Sequence, residues 1–284
     1  MIVDLDFNKI VGLGVAGNFA GHLEQAGEAV DFQKVKVTDA KAPKALFPFY
    51  LPSEKPSQYN SVINVFPLSS NTLVYPNREN CNLQIEPEIG LLSEIIYEDG
   101  KVVNIVPKYF GAYNDCSIRV QGAQKISQKK NWGALTKGYA SNLIPVDRFD
   151  ENGVIHTYKI SCFLKRNNEI FVYGVDSFAR DYSYMYQTLL NWIMDKMNNQ
   201  KDEGPAEEIS LYLKECNYPQ YALFSIGATR YTEFGESNYL TEGDVSYVVV
   251  YPEKYSFEEI KAMVENDSFK DESISVLAQK VIKE

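Results

Sequence analysis

The stretch Gln84-Ile85-Glu86-Pro87-Glu88-Ile89-Gly90-Leu91-Leu92 decides how the chain is read. In an extended strand, residues two apart point to the same face, so Glu86 and Glu88 project together. Ile85, Ile89, Leu91 and Leu92 give the strand buried neighbours, and Pro87 removes one backbone donor, which suits an edge or site-lining strand. Two carboxylates side by side cost free energy unless a cation or a proton lies between them. A divalent ion such as Mg²⁺, which takes about six hard oxygen ligands, meets that need. The plainer alternative is a solvated strand face that happens to carry two glutamates.

Outward from this stretch, residues 73–255 are mainly short β-branched and aromatic runs cut by turns at Glu98-Asp-Gly, Glu151-Asn-Gly and Asn167-Asn. A β-rich core follows. Tyr182 to Asn199 breaks the pattern, since Met185, Leu189, Ile193 and Met197 recur every four residues and lay an apolar stripe along a helix. Residues 1–72 read as a strand over Lys9 to Leu13, a glycine-rich turn, a helix from Asn18 to Val30, and an irregular proline-rich loop from Pro43 to Pro67. Lys201 to Glu208 reads as a solvated connection. After a last strand over Asp244 to Tyr251, Ser256 and Glu259 stand at capping-box spacing, so residues 256–284 are expected to form a helical tail. The fold class expected is α+β, mostly β.

At 284 residues, with 45% hydrophobic and 13% aromatic content, the chain is long enough for a real core. A formal charge of −10 argues against a general electrostatic hold on nucleic acid or an anionic membrane. Cys81, Cys116, Cys162 and Cys216 are dispersed, without a CxxC pair, which suits a reducing compartment and a cytoplasmic protein. The apolar run Ile10 to Ala20 follows Asp4 and Asp6, where a signal peptide needs positive charge, and it reads as core.

Two further patterns carry chemistry. Gly12-Leu-Gly14-Val-Ala-Gly17 is a full GxGxxG after a strand and before a helix, with Asp39 about 20 residues on, which is the fingerprint of a nicotinamide- or flavin-binding oxidoreductase. The alternating strands and helices of a dinucleotide fold do not follow it, and three glycines also serve a tight turn with close packing. In Tyr113-Asn-Asp115-Cys-Ser-Ile-Arg119, Asp115 offers a third acid and Arg119 a cation for the same pocket; at a helix start, Asn114 or Asp115 would instead be a cap.

Several of these stretches, in this order, resemble the fumarylacetoacetate hydrolase family. Gly17-Asn-Phe-Ala-Gly-His22 is similar to that family's N-Y-x-x-H turn, and Glu86-Pro-Glu88 to its E-x-E metal pair. Asn114-Asp-Cys-Ser-Ile-Arg119 is similar to its N-D-x-S/T-x-R segment, and Trp132-Gly-Ala-Leu-Thr-Lys137-Gly-Tyr139 to its W-x-x-x-K-S/G-F/Y stretch. Ile226-Gly-Ala-Thr229 and Leu240-Thr-Glu-Gly-Asp244 resemble its G-T-P loop and L-x-x-G-D strand entry, with the register around Thr229 off by one.

The resemblance implies a mixed β-sandwich roll with peripheral helices and a divalent ion, Mg²⁺ or alternatively Mn²⁺ or Ca²⁺, on Glu86, Glu88 and Asp115. It implies hydrolysis of a C–C bond in a small 2-oxo or 1,3-diketo acid through a metal-stabilised enolate, in a homodimer. His22 would activate water, Lys137 would hold the developing oxyanion, and Arg119, Thr229 and Tyr139 would face the substrate. The chain departs from the pattern where Gln25 replaces the glutamate that assists the histidine, leaving Glu24 or Glu28 nearby, or Glu233 or Glu236 from the C-terminal loop, to take that part. Phe49 stands about where a lysine is expected. The rival readings are a decarboxylase or tautomerase on the same site, a non-catalytic binding protein of the same fold, and the dinucleotide enzyme.

Overall fold

The computed structural model describes residues 6–27, 39, 41–77, 81–120 and 123–283. Its larger sheet runs β2 (Ala45–Tyr50), β1 (Val11–Ala16), β13 (Tyr221–Ser225), β6 (Pro87–Glu98), β7 (Lys101–Asn114), β9 (Lys137–Tyr139) and β3 (Leu68–Ser69), with β10 (Ile144–Pro145) beside β7. A second sheet runs β12 (Glu169–Phe178), β11 (Tyr158–Arg166), β14 (Val245–Pro252), β15 (Ser275–Ile282) and β4 (Thr72–Val74), and β5 (Asn82–Gln84) pairs with β8 (Ser117–Arg119). Around these lie α1 (His22–Gln25), α2 (Tyr186–Asn199), α3 (Ile209–Glu215), α4 (Glu233–Ser237) and α5 (Phe257–Glu265). The expected α+β, mostly-β class is what forms.

The β6–β7 hairpin is the spine. It turns at Asp99-Gly100, both at positive φ (50° and 75°), the two-residue geometry whose twist matches paired strands. Pro87 opposes Asn114, Glu88 opposes Tyr113, and the Asp115 N–H donates to the Glu86 carbonyl at 3.0 Å. Two bulges, between Leu92 and Ser93 and between Ile96 and Tyr97, each take up one extra residue on β7. Without them the position opposite Glu86 would fall to Tyr113. The third acid therefore arrives through register.

The second sheet follows the period of two. Tyr247, Val249 and Tyr251 pack with Phe163 toward Ile260 and Val264 of α5, while Val248 and Val250 point into the main core with Leu277 and Val281. The apolar stripe of α2 is buried in that core through Leu189, Ile193 and Met197, as its spacing predicts. The capping box at Ser256 and Glu259 is also formed.

Three local expectations change. The segment Pro43 to Pro67 is not wholly irregular, because Ala45–Tyr50 forms a buried strand that accepts Pro48 as the last strand of its sheet. The tail is not helical to its end. After α5 the chain returns as β15, on which Ser275, Leu277, Gln279 and Val281 are buried at a period of two. At the N-terminus the strand is Val11–Ala16 and the helix is only His22–Gln25, and Val30, where a longer helix was expected to end, lies outside the described residues.

The GxGxxG pattern also finds a different use. Gly12 and Gly14 lie inside β1, and a Cβ at either would come within 2.2 Å of the ring of Phe49 or Phe47 on the neighbouring strand. Only Gly17 is at a turn, with φ of 75°. These glycines admit two aromatic rings against the sheet and form no phosphate-cradling loop, so the dinucleotide reading loses its footing.

Candidate metal centre

Glu86 and Glu88 sit at the start of β6, and Asp115 follows β7, so the hairpin register brings one oxygen of each within 4.8 Å of the others. Oxygens bound to one divalent ion at about 2.1–2.5 Å lie no more than about 4–5 Å apart. All three carboxylates are buried. Both Asp115 oxygens and Glu86 Oε1 lack a well-directed hydrogen bond, their neighbours being cations. Asp115 caps no helix, since it lies between β7 and β8. On donor chemistry and spacing the triad fits a hard divalent ion.

The surrounding charge is unequal. The Arg119 guanidinium lies 2.8 Å from Glu86 Oε1, and its Nε donates to Gln84 Oε1 at 2.6 Å. Lys130 Nζ lies 2.6 Å from Glu86 Oε2 and 2.6 Å from Asp115 Oδ2, under the ring of Phe47. Lys137 Nζ lies 3.4 Å from Asp115 Oδ1 and donates to the backbone carbonyls of Asp115 and Cys116. Burial pushes every carboxyl here upward, but Lys130, Arg119 and His22 overcome it at Glu86 and hold that group well below the usual range. Glu88 stays well above the usual range, from burial and then the charges of Asp115 and Glu86, opposed only in part by Lys130 and the Gly227 N–H. Asp115 is raised by burial against the pull of Lys130 and Lys137, and burial lowers Lys137.

His22 is buried, and its Nδ1 lies 2.9 Å from the Thr229 carbonyl oxygen. A carbonyl can only accept, so in the neutral ring Nδ1 carries the proton and Nε2 the lone pair. Thr229 is fixed in turn by its N–H donating to the Pro87 carbonyl at 3.1 Å, which ties the histidine to the glutamate strand. Asn18 closes the glycine turn, donating to the carbonyls of Tyr184 and Ile226 and accepting from the Tyr184 N–H.

The remaining expected residues are placed differently. Tyr139 packs with Phe7 and Tyr113 and lines a cavity of about 300 Å³ whose walls include none of the three acids. Glu236 is exposed and meets the Gln25 amide at 3.4 Å, and Gln25 holds the Tyr231 backbone through both its amide ends. The side chain of Glu24 lies outside the described residues, as does Glu28. His156 pairs with the Tyr186 hydroxyl on another part of the surface.

Sequence reasoning did not single out Lys130, the Gly227 N–H that donates to Glu88 Oε2 at 2.7 Å, or the support behind the acids. Gln279 of β15 accepts from the Asn114 amide at 3.0 Å, and Asn114 Oδ1 accepts from the Glu86 N–H at 3.2 Å. A lysine next to another lysine reads as solvent-exposed charge, so nothing local marked Lys130.

This fold is shared with solved structures that include a fumarylacetoacetate isomerase/hydrolase. The chain is similar over 96% of its length to 2-keto-3-deoxyarabinonate dehydratase (TM-score 0.52, 11% identity, 73% of that chain), one structure of which is a complex with magnesium and 2,5-dioxopentanoate. It is likewise similar to maleylpyruvate hydrolase from Sphingobium sp. SYK-6 (TM-score 0.50, 9% identity, 96% of this chain and 71% of that one). A protein from Oleispira antarctica assigned as a fumarylacetoacetate isomerase/hydrolase matches at TM-score 0.50 and 12% identity, over 96% of this chain and 93% of that one. The chain belongs to the Family of unknown function (DUF5718), which it matches over residues 28–281. No curated protein sequence matches it.

Proposed function

We propose that this chain is a divalent-metal-dependent enzyme that cleaves a C–C bond in a small 2-oxo or 1,3-diketo acid, with the ion held by Glu86, Glu88 and Asp115. The observation that carries the reading is the triad itself: three buried carboxylates whose oxygens converge within 4.8 Å, with Lys137 against one of them. A relative of the same fold that takes magnesium and 2,5-dioxopentanoate supports the metal and the oxo-acid class. A bound divalent ion, with Mg²⁺ the first choice and Mn²⁺ the second, would supply Lewis-acid stabilisation of negative charge on the substrate oxygens.

The chain's own groups divide the remaining work. His22, with its proton on Nδ1 toward Thr229, presents Nε2 as the base that takes a proton from water. Lys137 adds positive charge beside Asp115 where an oxyanion develops. Arg119 holds Glu86 in place, so its part is orientation of the ligand set and not capture of a substrate carboxylate. Glu236, lying on Gln25 and exposed, contributes at most through that amide.

The test pairs two variants. Glu88→Gln removes a ligand that no cation contacts among the described ion pairs, so the purified variant should lose its metal by elemental analysis and still fold. His22→Ala should retain metal and lose about 10²- to 10⁴-fold in acylpyruvate turnover. Unchanged metal in Glu88→Gln removes the triad from consideration, and full turnover in His22→Ala removes the base.

A further inference from the structure

Three carboxylates, Glu86, Glu88 and Asp115, share their surroundings with three cations, Arg119, Lys130 and Lys137. The three cations stand differently. Arg119 approaches Glu86 from the side of Gln84 and Tyr231, donating to the Tyr231 hydroxyl at 2.9 Å, and Lys137 binds two backbone carbonyls beyond Asp115. Among the described ion pairs, Lys130 alone bridges two members of the triad, with its nitrogen 2.6 Å from an oxygen of each. A nitrogen at that distance from two carboxylate oxygens fills the volume that a divalent ion needs at about 2.1–2.6 Å from the same atoms. The ammonium and the ion exclude one another both by space and by charge.

We propose that Lys130 is the cation that the acidic triad holds when no divalent ion is bound, and that an ion enters only by displacing it. This rests on the reading of the triad as a cation site and adds the residue that sets its occupancy. The side chain is suited to the part. Lys130 is the first residue after a short 3₁₀ helix (Ile126–Lys129), its stem is buried, and its head lies 5.1 Å from the centroid of the Phe47 ring, an aromatic face that accepts a cation. Glu88, whose described hydrogen bond is from the Gly227 N–H and which is absent from the described ion pairs of Lys130, is the ligand that joins when the ion arrives. The consequence is a protein that folds and keeps its site without metal, at the cost of affinity for it.

The experiment compares the full chain with Lys130→Met, which keeps the stem and removes the charge, by thermal unfolding in EDTA and by Mn²⁺ titration followed through the free-ion EPR signal. In EDTA the variant should melt about 8 °C below the parent, because two buried carboxylates lose their shared counter-ion. Mn²⁺ should restore it and should bind on the order of a hundredfold more tightly than to the parent. The double variant Lys130→Met/Glu86→Gln serves if the single one unfolds without metal, and it should regain part of the lost melting temperature in EDTA.

Equal melting of parent and Lys130→Met in EDTA overturns the proposal, and so does Mn²⁺ binding that is measurable and equal in the two, or absent from both.

Discussion

Lys125 and Lys130 stand five residues apart at the two ends of one short 3₁₀ helix, and both are buried, but they do opposite things with their charge. Lys125 ties down the connection after α2. It meets Asp202 and donates to the carbonyls of Gly204 at 2.9 Å and Ala206 at 2.7 Å, so its three donors are spent on one acid and two neutral acceptors. Asp202 is about a third exposed, which lets solvent share its charge. Lys130 instead bridges two acids that are almost wholly buried, with a third carboxylate in the same cluster. The comparison teaches that an ion pair fastening a loop is complete in itself, whereas one holding a surplus of carboxylates together stands where another cation fits.

The contrast is open to attack from both ends. The largest effect is expected at the acidic end, where Asp115→Ala takes the counter-charge from Lys130 and Lys137 together and should cost about 3–5 kcal/mol by urea unfolding in EDTA. Lys125→Met should cost less, about 2 kcal/mol, from two unsatisfied carbonyls and a screened pair. Should the two variants lose the same amount, the two corners are alike and the distinction between fastening and filling fails.

The smallest effect sharpens the picture at the Lys125 corner. Glu207, in the same connection, is buried, with one oxygen accepting from the Tyr212 hydroxyl at 2.8 Å. Burial raises its carboxyl above the usual range, and Ser127, Tyr212 and Lys125 offset this only in part. A carboxyl raised on folding binds its proton more tightly in the folded state, so stability falls as the pH climbs from the unfolded value through the folded one. Glu207→Gln should therefore gain slightly in urea midpoint at pH 7, with the gain closing as the pH drops to the range of ordinary carboxylates. A gain that does not depend on pH would trace to packing.

Residues 201–208 also show how a composition-based reading falls short. Their acidic and glycine-proline character suggests a solvated linker, and Lys201 to Gly204 are indeed exposed. Ala206 and Glu207 are nonetheless buried, because Lys125 and Gln200 draw the backbone inward. Charge in a sequence says what a residue would choose alone, and partners elsewhere in the chain change the choice.

The chain by itself determined the paired projection of Glu86 and Glu88, the α2 stripe, the hairpin turn at Asp99-Gly100 and the α5 cap, because periods of two and four and positive-φ turns are local properties of the backbone. The residues themselves offered Asp115 as a third acid, and the resemblance to a known family pointed to Lys137 and His22. Tertiary structure alone decided that two bulges set Asp115 beside Glu86, that Gln279 from the last strand backs the site through Asn114, and that Lys130 enters the triad. Register and buried ion pairing are relations between residues distant in sequence, and a side chain that finds its counter-charge only after folding leaves no mark in its neighbours.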